Sequence, residues 1–152
     1  MGVLLMHLAA TDATAQNRSL SVVGGNVTLV VGSSAPFPGA DLEPVSSSTG
    51  GLDWRTGPGG NRKITVSSDA PGQSFPLAIV AINIVGPATP LSAVPLTDGM
   101  APRDLLRNLK AASGNESGSC TLRYTAHVSV VDGNSNTHGD DQHIVTFTLV
   151  DQ

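Results

Sequence analysis

Two stretches near the C-terminal end, Ser119–Val131 (SCTLRYTAHVSVV) and Gln142–Val150 (QHIVTFTLV), decide the fold class of this chain. Apolar and polar residues alternate along both, so Leu122 and Tyr124 share one face of the first stretch, and Phe147 lies on the apolar face of the second. A period of two residues over this length is typical of a half-buried antiparallel strand. The two stretches therefore predict β-strands.

The segment between these strands predicts how they pair. Asp132–Asp141 is rich in Asp, Asn and Gly, and folding the chain back about it sets Ala126 opposite Phe147 and Tyr124 opposite Leu149. The same register pairs polar residues on the other face, and a slip of one residue would invert both faces. We therefore expect an antiparallel hairpin.

The composition favours a single β-rich domain of an extracellular protein. A chain of 152 residues is long enough for one hydrophobic core, and only 13% of its residues are charged. The eight Lys and Arg residues are dispersed, whereas nucleic-acid binding requires concentrated positive charge, so we do not expect it. The single cysteine, Cys120, cannot form an internal disulfide and shares the apolar face of its strand. We expect a buried thiol there.

The N-terminal segment predicts export. Residues Met1–Ala15 read as the remnant of a secretory signal, because the apolar run Val3–Ala10 precedes the small-residue cleavage pattern Ala13–Ala15. The positive region that normally opens such a signal is missing, and a cytosolic extension is the alternative. The run is too short to span a bilayer, and no later apolar run is long enough. We expect a single domain over residues 16–152, secreted or at the cell surface.

A glycine pair separates two further alternating segments, Arg18–Val23 and Asn26–Val31. A two-residue Gly-Gly loop suits a tight hairpin, which would set Leu20 opposite Leu29. In the alternative interpretation the glycine pair is a hinge, and the strand before it pairs with another molecule. The residues of this candidate assembly strand and hinge are Asn17, Leu20, Val22, Gly24 and Gly25.

The middle of the chain completes the fold prediction. Arg62–Ser68 alternates, Phe75–Val85 reads as a buried central strand, and Leu91–Leu96 reads as a short edge strand. Gly32–Gly60 reads as a loop with one or two brief edge strands, and Asp98–Ala112 is the one helical candidate. The sequence thus predicts an Ig-like antiparallel β-sandwich of seven to eight strands with one short helix.

The polar loop Asp132–His143 is the candidate metal site. Its first, third and fifth residues match a calcium loop, but Thr137 and His143 stand where that loop requires Gly and Glu. Nitrogen and oxygen donors in the same loop would also suit a transition metal, and an exposed hairpin tip explains the composition equally well. The candidate ligands are Asp132, Asn134, Asn136, His138, Asp140, Asp141 and His143.

No catalytic motif is evident in the sequence. It contains no G-x-S-x-G pattern, and no pair of carboxylates of the kind that glycosidases use can be picked out. Trp54, the single tryptophan, is either a core residue or a platform for a ligand such as a carbohydrate. We therefore expect a non-enzymatic protein without a cofactor.

The pattern CTLRYTAHVSV…HIVTFTLV within Cys120–Val150, preceded by LDW…RKITVSS within Leu52–Ser68, resembles small exported bacterial β-sandwich proteins. More loosely it is similar to the pilin- and adhesin-type subunits of surface fibres. The resemblance implies a sandwich that associates with itself or with other surface proteins, and it brings no catalytic residue.

Two functions follow as expectations. The first is a non-enzymatic extracellular structural or interaction protein, such as a filament subunit that assembles by β-strand addition. The alternative is a secreted module that binds a carbohydrate, Ca²⁺ or Zn²⁺.

Overall fold

A computed structural model describes residues 2–10, 18–31, 44–109, 116–127 and 141–152, with the backbone alone at 2–10 and 31. The described residues form eleven strands and no helix. These are β1 (Gly2–Ala10), β2 (Ser19–Val23), β3 (Val27–Val31), β4 (Val45–Arg55), β5 (Arg62–Asp69), β6 (Leu77–Val85), β7 (Thr89–Pro90), β8 (Val94–Leu96), β9 (Arg103–Leu109), β10 (Ser117–Ala126) and β11 (Gln142–Asp151).

The strands form two sheets. Sheet A has the order β3-β1-β11-β5-β9-β7, and sheet B has the order β2-β4-β10-β6-β8. Neighbouring strands are antiparallel except for β1 and β11, which run parallel. The prediction of an all-β protein with two mainly antiparallel sheets is confirmed at this level, whereas the predicted count of seven to eight strands is too low, since the described residues alone form eleven.

Both sheets contribute side chains to one hydrophobic core. Leu122 and Tyr124 of sheet B and Ile64 and Phe147 of sheet A are fully buried in it. Burying one large apolar side chain stabilises a fold by about 1.5–3 kcal/mol, so the alternating strands are the main source of stability. The faces of β10 and β11 that the sequence pattern marked as apolar are the buried ones, which confirms that part of the prediction.

The predicted C-terminal hairpin is wrong. β10 lies in sheet B between β4 and β6, whereas β11 lies in sheet A between β1 and β5. Tyr124 is opposite Ser47 and Ile79, while Phe147 is opposite Val66. Alternation specifies which face of a strand is buried but not which strand lies beside it. The apolar faces of β10 and β11 contribute to the same core from different sheets.

The predicted N-terminal hairpin is wrong for the same reason. β2 pairs with β4 in sheet B, where Leu20 is opposite Trp54, and β3 pairs with β1 in sheet A, where Leu29 is opposite Leu4. The glycine pair therefore carries the chain from one sheet to the other.

The helix predicted over Asp98–Ala112 is not found in the described part of that range, residues 98–109, where Arg103–Leu109 form β9. Leu105, Leu106 and Leu109 are all fully buried, a spacing that also fits a helical stripe. The pairing of β9 with β5 contains two register shifts, which let neighbouring leucines both reach the core.

The loop predicted over Gly32–Gly60 contains a long strand. Val45–Arg55 form the eleven-residue β4, which lies inside sheet B between β2 and β10. The Ser and Gly residues of this segment have low intrinsic strand propensity, so pairing with two neighbours stabilises a conformation that the local sequence does not predict.

Three other predicted strands are present. Arg62–Ser68 lies within β5, and the predicted edge strand Leu91–Leu96 contains β8 at the edge of sheet B. Phe75–Val85 contains β6, which is buried on one face and half-buried on the other along its first part. The predicted signal remnant Met1–Ala15 contains β1, and its cleavage stays a prediction. Within the described ranges, no helix is long and apolar enough to cross a membrane.

Candidate functional site

The edge strands of the two sheets differ in length and in proline content. β7 and β8 are two and three residues long, and each contains a proline, Pro90 and Pro95. Proline lacks a backbone N–H, and short proline-bearing edge strands resist pairing with other chains. β2 and β3, at the other two edges, have five residues each, with no proline and no charged residue. We call this pair of strands the open edge.

β2 is held by one neighbour among the described strands. It pairs with β4 from Ser19, opposite Arg55, to Val23, opposite Gly51. The side chain of Leu20 enters the core and is 2% exposed, while Val23 is 47% exposed. β2 thus combines one buried anchor with a backbone edge that has no described strand beside it.

The link between β2 and β3 depends on glycine. Gly24 has a φ of 96°, and a Cβ at this position would lie 2.5 Å from the carbonyl oxygen of Thr49. Gly25 has a φ of 65°, but a Cβ there would have no atom within 4 Å. Of the five predicted assembly residues, Leu20 and Val22 lie in β2, and Gly24 and Gly25 follow it directly. Asn17 lies outside the described residues.

An ion-pair cluster joins the start of β2 to sheet A. One carboxylate oxygen of Asp151 lies 3.5 Å from Arg18 Nη1 and 2.5 Å from Arg62 Nη1. The side chain of Arg62 is only 5% exposed, whereas that of Asp151 is 70% exposed. The exposed carboxylate therefore compensates a buried guanidinium.

Trp54 lies in the core and is 2% exposed. Its ring packs so closely on Gly118 that a Cβ there would overlap the indole. The tryptophan therefore presents no exposed aromatic face in this structure. On the same sheet Cys120 is 6% exposed, and burial raises the pKa of its thiol to about 11.

Most of the predicted metal ligands, Asp132, Asn134, Asn136, His138 and Asp140, lie outside the described residues. Asp141 and His143 are described, and both are buried. One carboxylate oxygen of Asp141 accepts hydrogen bonds from the backbone N–H groups of Ser74 and Phe75, at 2.7 and 2.9 Å. In the described part of the chain, no three His, Cys, Asp or Glu residues are grouped as a metal site would require.

A surface cavity of about 490 Å³ lies between β8 and β9. Asp104 in its wall accepts a bond from Lys63 at 2.9 Å and from Arg107 at 2.6 Å. The bond from Lys63 is the largest influence and lowers the pKa of Asp104 below its ordinary value of 3.8, although burial opposes it. This carboxylate is therefore held as an ion by two cations.

Four buried polar residues of the described chain were not singled out in the sequence, namely Thr56, Arg62, Thr65 and Ser68. Arg62 and Ser68 lie at the two ends of β5 and are 4% and 3% exposed. A signal for them was present, because the period-two pattern of Ile64 and Val66 extends to positions 62 and 68.

Comparison with models of known protein families and with curated protein sequences finds no match to this chain.

Proposed function

We propose that this protein is a non-enzymatic extracellular structural or interaction protein, an Ig-like β-sandwich that assembles into surface filaments by β-strand addition. One observation carries the proposal: β2 is an edge strand without proline or charge, and a glycine pair follows it directly. Strands of this kind are templates for pairing with another chain. The resemblance to exported sandwich proteins and fibre subunits agrees with it.

In the proposed mechanism, β2 of one copy turns outward about Gly24 and Gly25 and takes the place of β2 on the next copy. It pairs with β4 of that copy in the register described above, so Leu20 fills the same core position and Val22 the same half-buried one. Because exchange reproduces contacts that already exist, it needs no new surface. The backbone hydrogen bonds supply affinity, and Leu20 fixes the register.

The contacts of β2 also determine the barrier to exchange. Withdrawing Leu20 from the core exposes a large apolar side chain, at a cost of about 1.5–3 kcal/mol. The pair between Arg18 and Asp151 is partly exposed, and such pairs contribute little to stability. Leu20 is therefore the main side-chain anchor of β2, and conditions that loosen it accelerate assembly.

Deletion of residues 17–23 tests the proposal. We expect the full chain to form polymers in electron microscopy and light scattering, and the deletion variant to be a folded, less stable monomer. A peptide of residues 17–23 should then bind to the variant and raise its melting temperature. Ser21→Ala, an exposed change on the same strand, should polymerise like the wild type.

Two results would contradict strand addition. The first is a deletion variant that polymerises as well as the full chain. The second is a full chain that stays monomeric at every concentration.

A further inference from the structure

Every residue that lines the cavity between β8 and β9 belongs to one continuous described stretch, residues 44–109. One wall is the segment Leu91–Pro95, and the other is Pro102 with the charged residues Arg103, Asp104 and Arg107. The volume of about 490 Å³ is of the size that binds small organic molecules. Such pockets typically combine apolar walls with a few charged groups, and this cavity has both.

The fold concentrates positive charge at this cavity. Lys63 of β5 bonds to Asp104, so the cations Lys63, Arg103 and Arg107 accompany one carboxylate here. The chain as a whole has a net charge of −4, and its eight Lys and Arg residues are dispersed in the sequence. A cavity with an excess of one sign of charge raises the local concentration of ligands of the opposite sign. The charge of this wall therefore favours an anion.

Arg107 uses only part of its guanidinium on Asp104. Its Nε and Nη2 lie 2.7 and 2.6 Å from the same carboxylate oxygen, whereas Lys63 bonds to the other oxygen at 2.9 Å. These contacts use two of the five N–H donors of the guanidinium, and the side chain of Arg107 is 50% exposed. Arg103 is exposed and has no ion pair among the described residues. Both guanidinium groups therefore have donors left for an oxyanion.

We propose that this cavity binds a small organic molecule through a carboxylate or phosphate group, with Arg103 and Arg107 as the binding residues. The planar guanidinium matches both groups, because it can donate two parallel hydrogen bonds to their oxygens. The segment Leu91–Pro95 forms the wall for the rest of the molecule.

The cavity does not depend on strand addition. β8 and β2 lie at opposite edges of sheet B, with β6, β10 and β4 between them. Ligand binding and filament assembly can therefore fail separately, and each has its own measurement.

Three sugars that differ only in the group at carbon 6 test the role of charge. Glucose 6-phosphate has a phosphate there, glucuronate has a carboxylate, and glucose has a neutral hydroxyl. We expect the acids to bind with dissociation constants in the millimolar range, about tenfold tighter than glucose, because hydrogen bonds to charged groups are the stronger ones. Saturation-transfer NMR titrations measure the constants on the full chain, whether or not it assembles. If only one acid binds, the proposal stands and that acid identifies the group that the cavity accepts.

Three variants of the full chain locate the binding. Arg103→Gln and Arg107→Gln should each weaken the binding of the acids about tenfold and leave that of glucose unchanged. Both side chains are exposed, so neither change disturbs the core, and circular dichroism checks the fold. Arg55→Gln is the matched control, because it removes the same charge from an exposed position on β4, two strands away from β8. It should bind the acids like the wild type.

Three results would overturn the proposal. The first is that neither acid binds more tightly than glucose. The second is that both cavity variants bind the acids like the wild type. The third is that the Arg55 variant loses as much affinity as the cavity variants, which would show a general effect of charge.

Discussion

The hydroxyl oxygen of Ser68 and Nδ1 of His143 lie 3.3 Å apart in the protein interior, where β5 and β11 are neighbours. The imidazole of His143 is fully buried, and its Nε2 has no hydrogen-bond partner among the described residues. Burial lowers the pKa of His143 below its ordinary value of 6.5, and the carboxylates of Asp141 and Asp98 oppose that shift in part. The folded protein therefore holds a neutral imidazole near pH 7.

We expect acid to destabilise the fold through His143. Because the pKa of this group is lower in the folded chain than in the unfolded chain, the unfolded chain binds more protons between the two values. The contribution to the free energy of unfolding is complete above pH 6.5 and is lost as the pH falls through that value towards the folded pKa. Urea unfolding, followed by Trp54 fluorescence from about pH 8 to pH 5, measures it.

Two variants isolate this effect. His143→Gln cannot titrate but can still bond to Ser68, so its stability should vary less with pH than that of the wild type. His127→Gln changes an exposed histidine and should keep the wild-type slope. Equal slopes for the wild type and the His143 variant would refute the assignment.

The sequence predicts faces better than partners. Tyr124 and Phe147 lie on the faces that alternation marked as apolar, because burial acts on each strand residue by residue. Their strands are nevertheless in different sheets, and alternation contains no information about which strand is the neighbour. Both predicted hairpins are wrong because the two strands of each one lie in different sheets.

In the candidate site, too, the properties of single residues were predicted and the arrangement of strands was not. Leu20 and the glycine pair were identified from local chemistry, since a buried alternate position and a positive φ are properties of single residues. The sequence marked Leu91–Leu96 as an edge strand, but the positions of β2, β3 and β7 at the other edges could not be predicted, because an edge is defined by the order of strands in a sheet. The cluster of Arg62 and Asp151 likewise joins residues far apart in the chain.

Gly24→Ala should destabilise the closed position of β2. A side chain at a φ of 96° is strained, and the new Cβ would meet the carbonyl oxygen of Thr49 at 2.5 Å. We expect a loss of about 1–3 kcal/mol, together with faster exchange of β2, because the turned-out chain is free of this contact. Gly25→Ala meets no atom within 4 Å and should cost less. Thermal unfolding and light scattering measure the two effects, and equal stability of the two variants would refute the steric argument.

Asp151→Asn should weaken the end of the molecule where β2 begins. The change leaves the buried guanidinium of Arg62 without its carboxylate. Removing one partner of a fully buried pair costs about 3–5 kcal/mol, but the exposure of Asp151 lets water screen the charge, so we expect about 1–2 kcal/mol. Asp69→Asn removes an exposed carboxylate that has no ion pair among the described residues and should be nearly neutral. Urea unfolding at low salt compares them, and equal losses would contradict this role for Asp151.

Gly118→Ala should be destabilising because the strands around Trp54 leave no space for a methyl group. A Cβ at Gly118 would overlap the indole of Trp54 and lie 2.5 Å from the carbonyl oxygen of Val85. Overpacking of this kind costs about 1–3 kcal/mol. The displaced indole should also change the fluorescence of Trp54, the single tryptophan of the chain, before any unfolding occurs.

Gly50→Ala is the matched control. Gly50 is also a strand glycine with an ordinary φ, and it is buried where Gly118 is half-buried, but its added Cβ would meet Val27 Cγ2 at 3.4 Å, a normal contact. Replacing a strand glycine with alanine reduces the conformational entropy lost on folding, so this variant should be neutral or slightly more stable than the wild type. Urea unfolding of both variants measures the difference. If the two alanine variants have the same stability and the same native fluorescence, the close packing of Gly118 on Trp54 does not limit the size of the residue at this position.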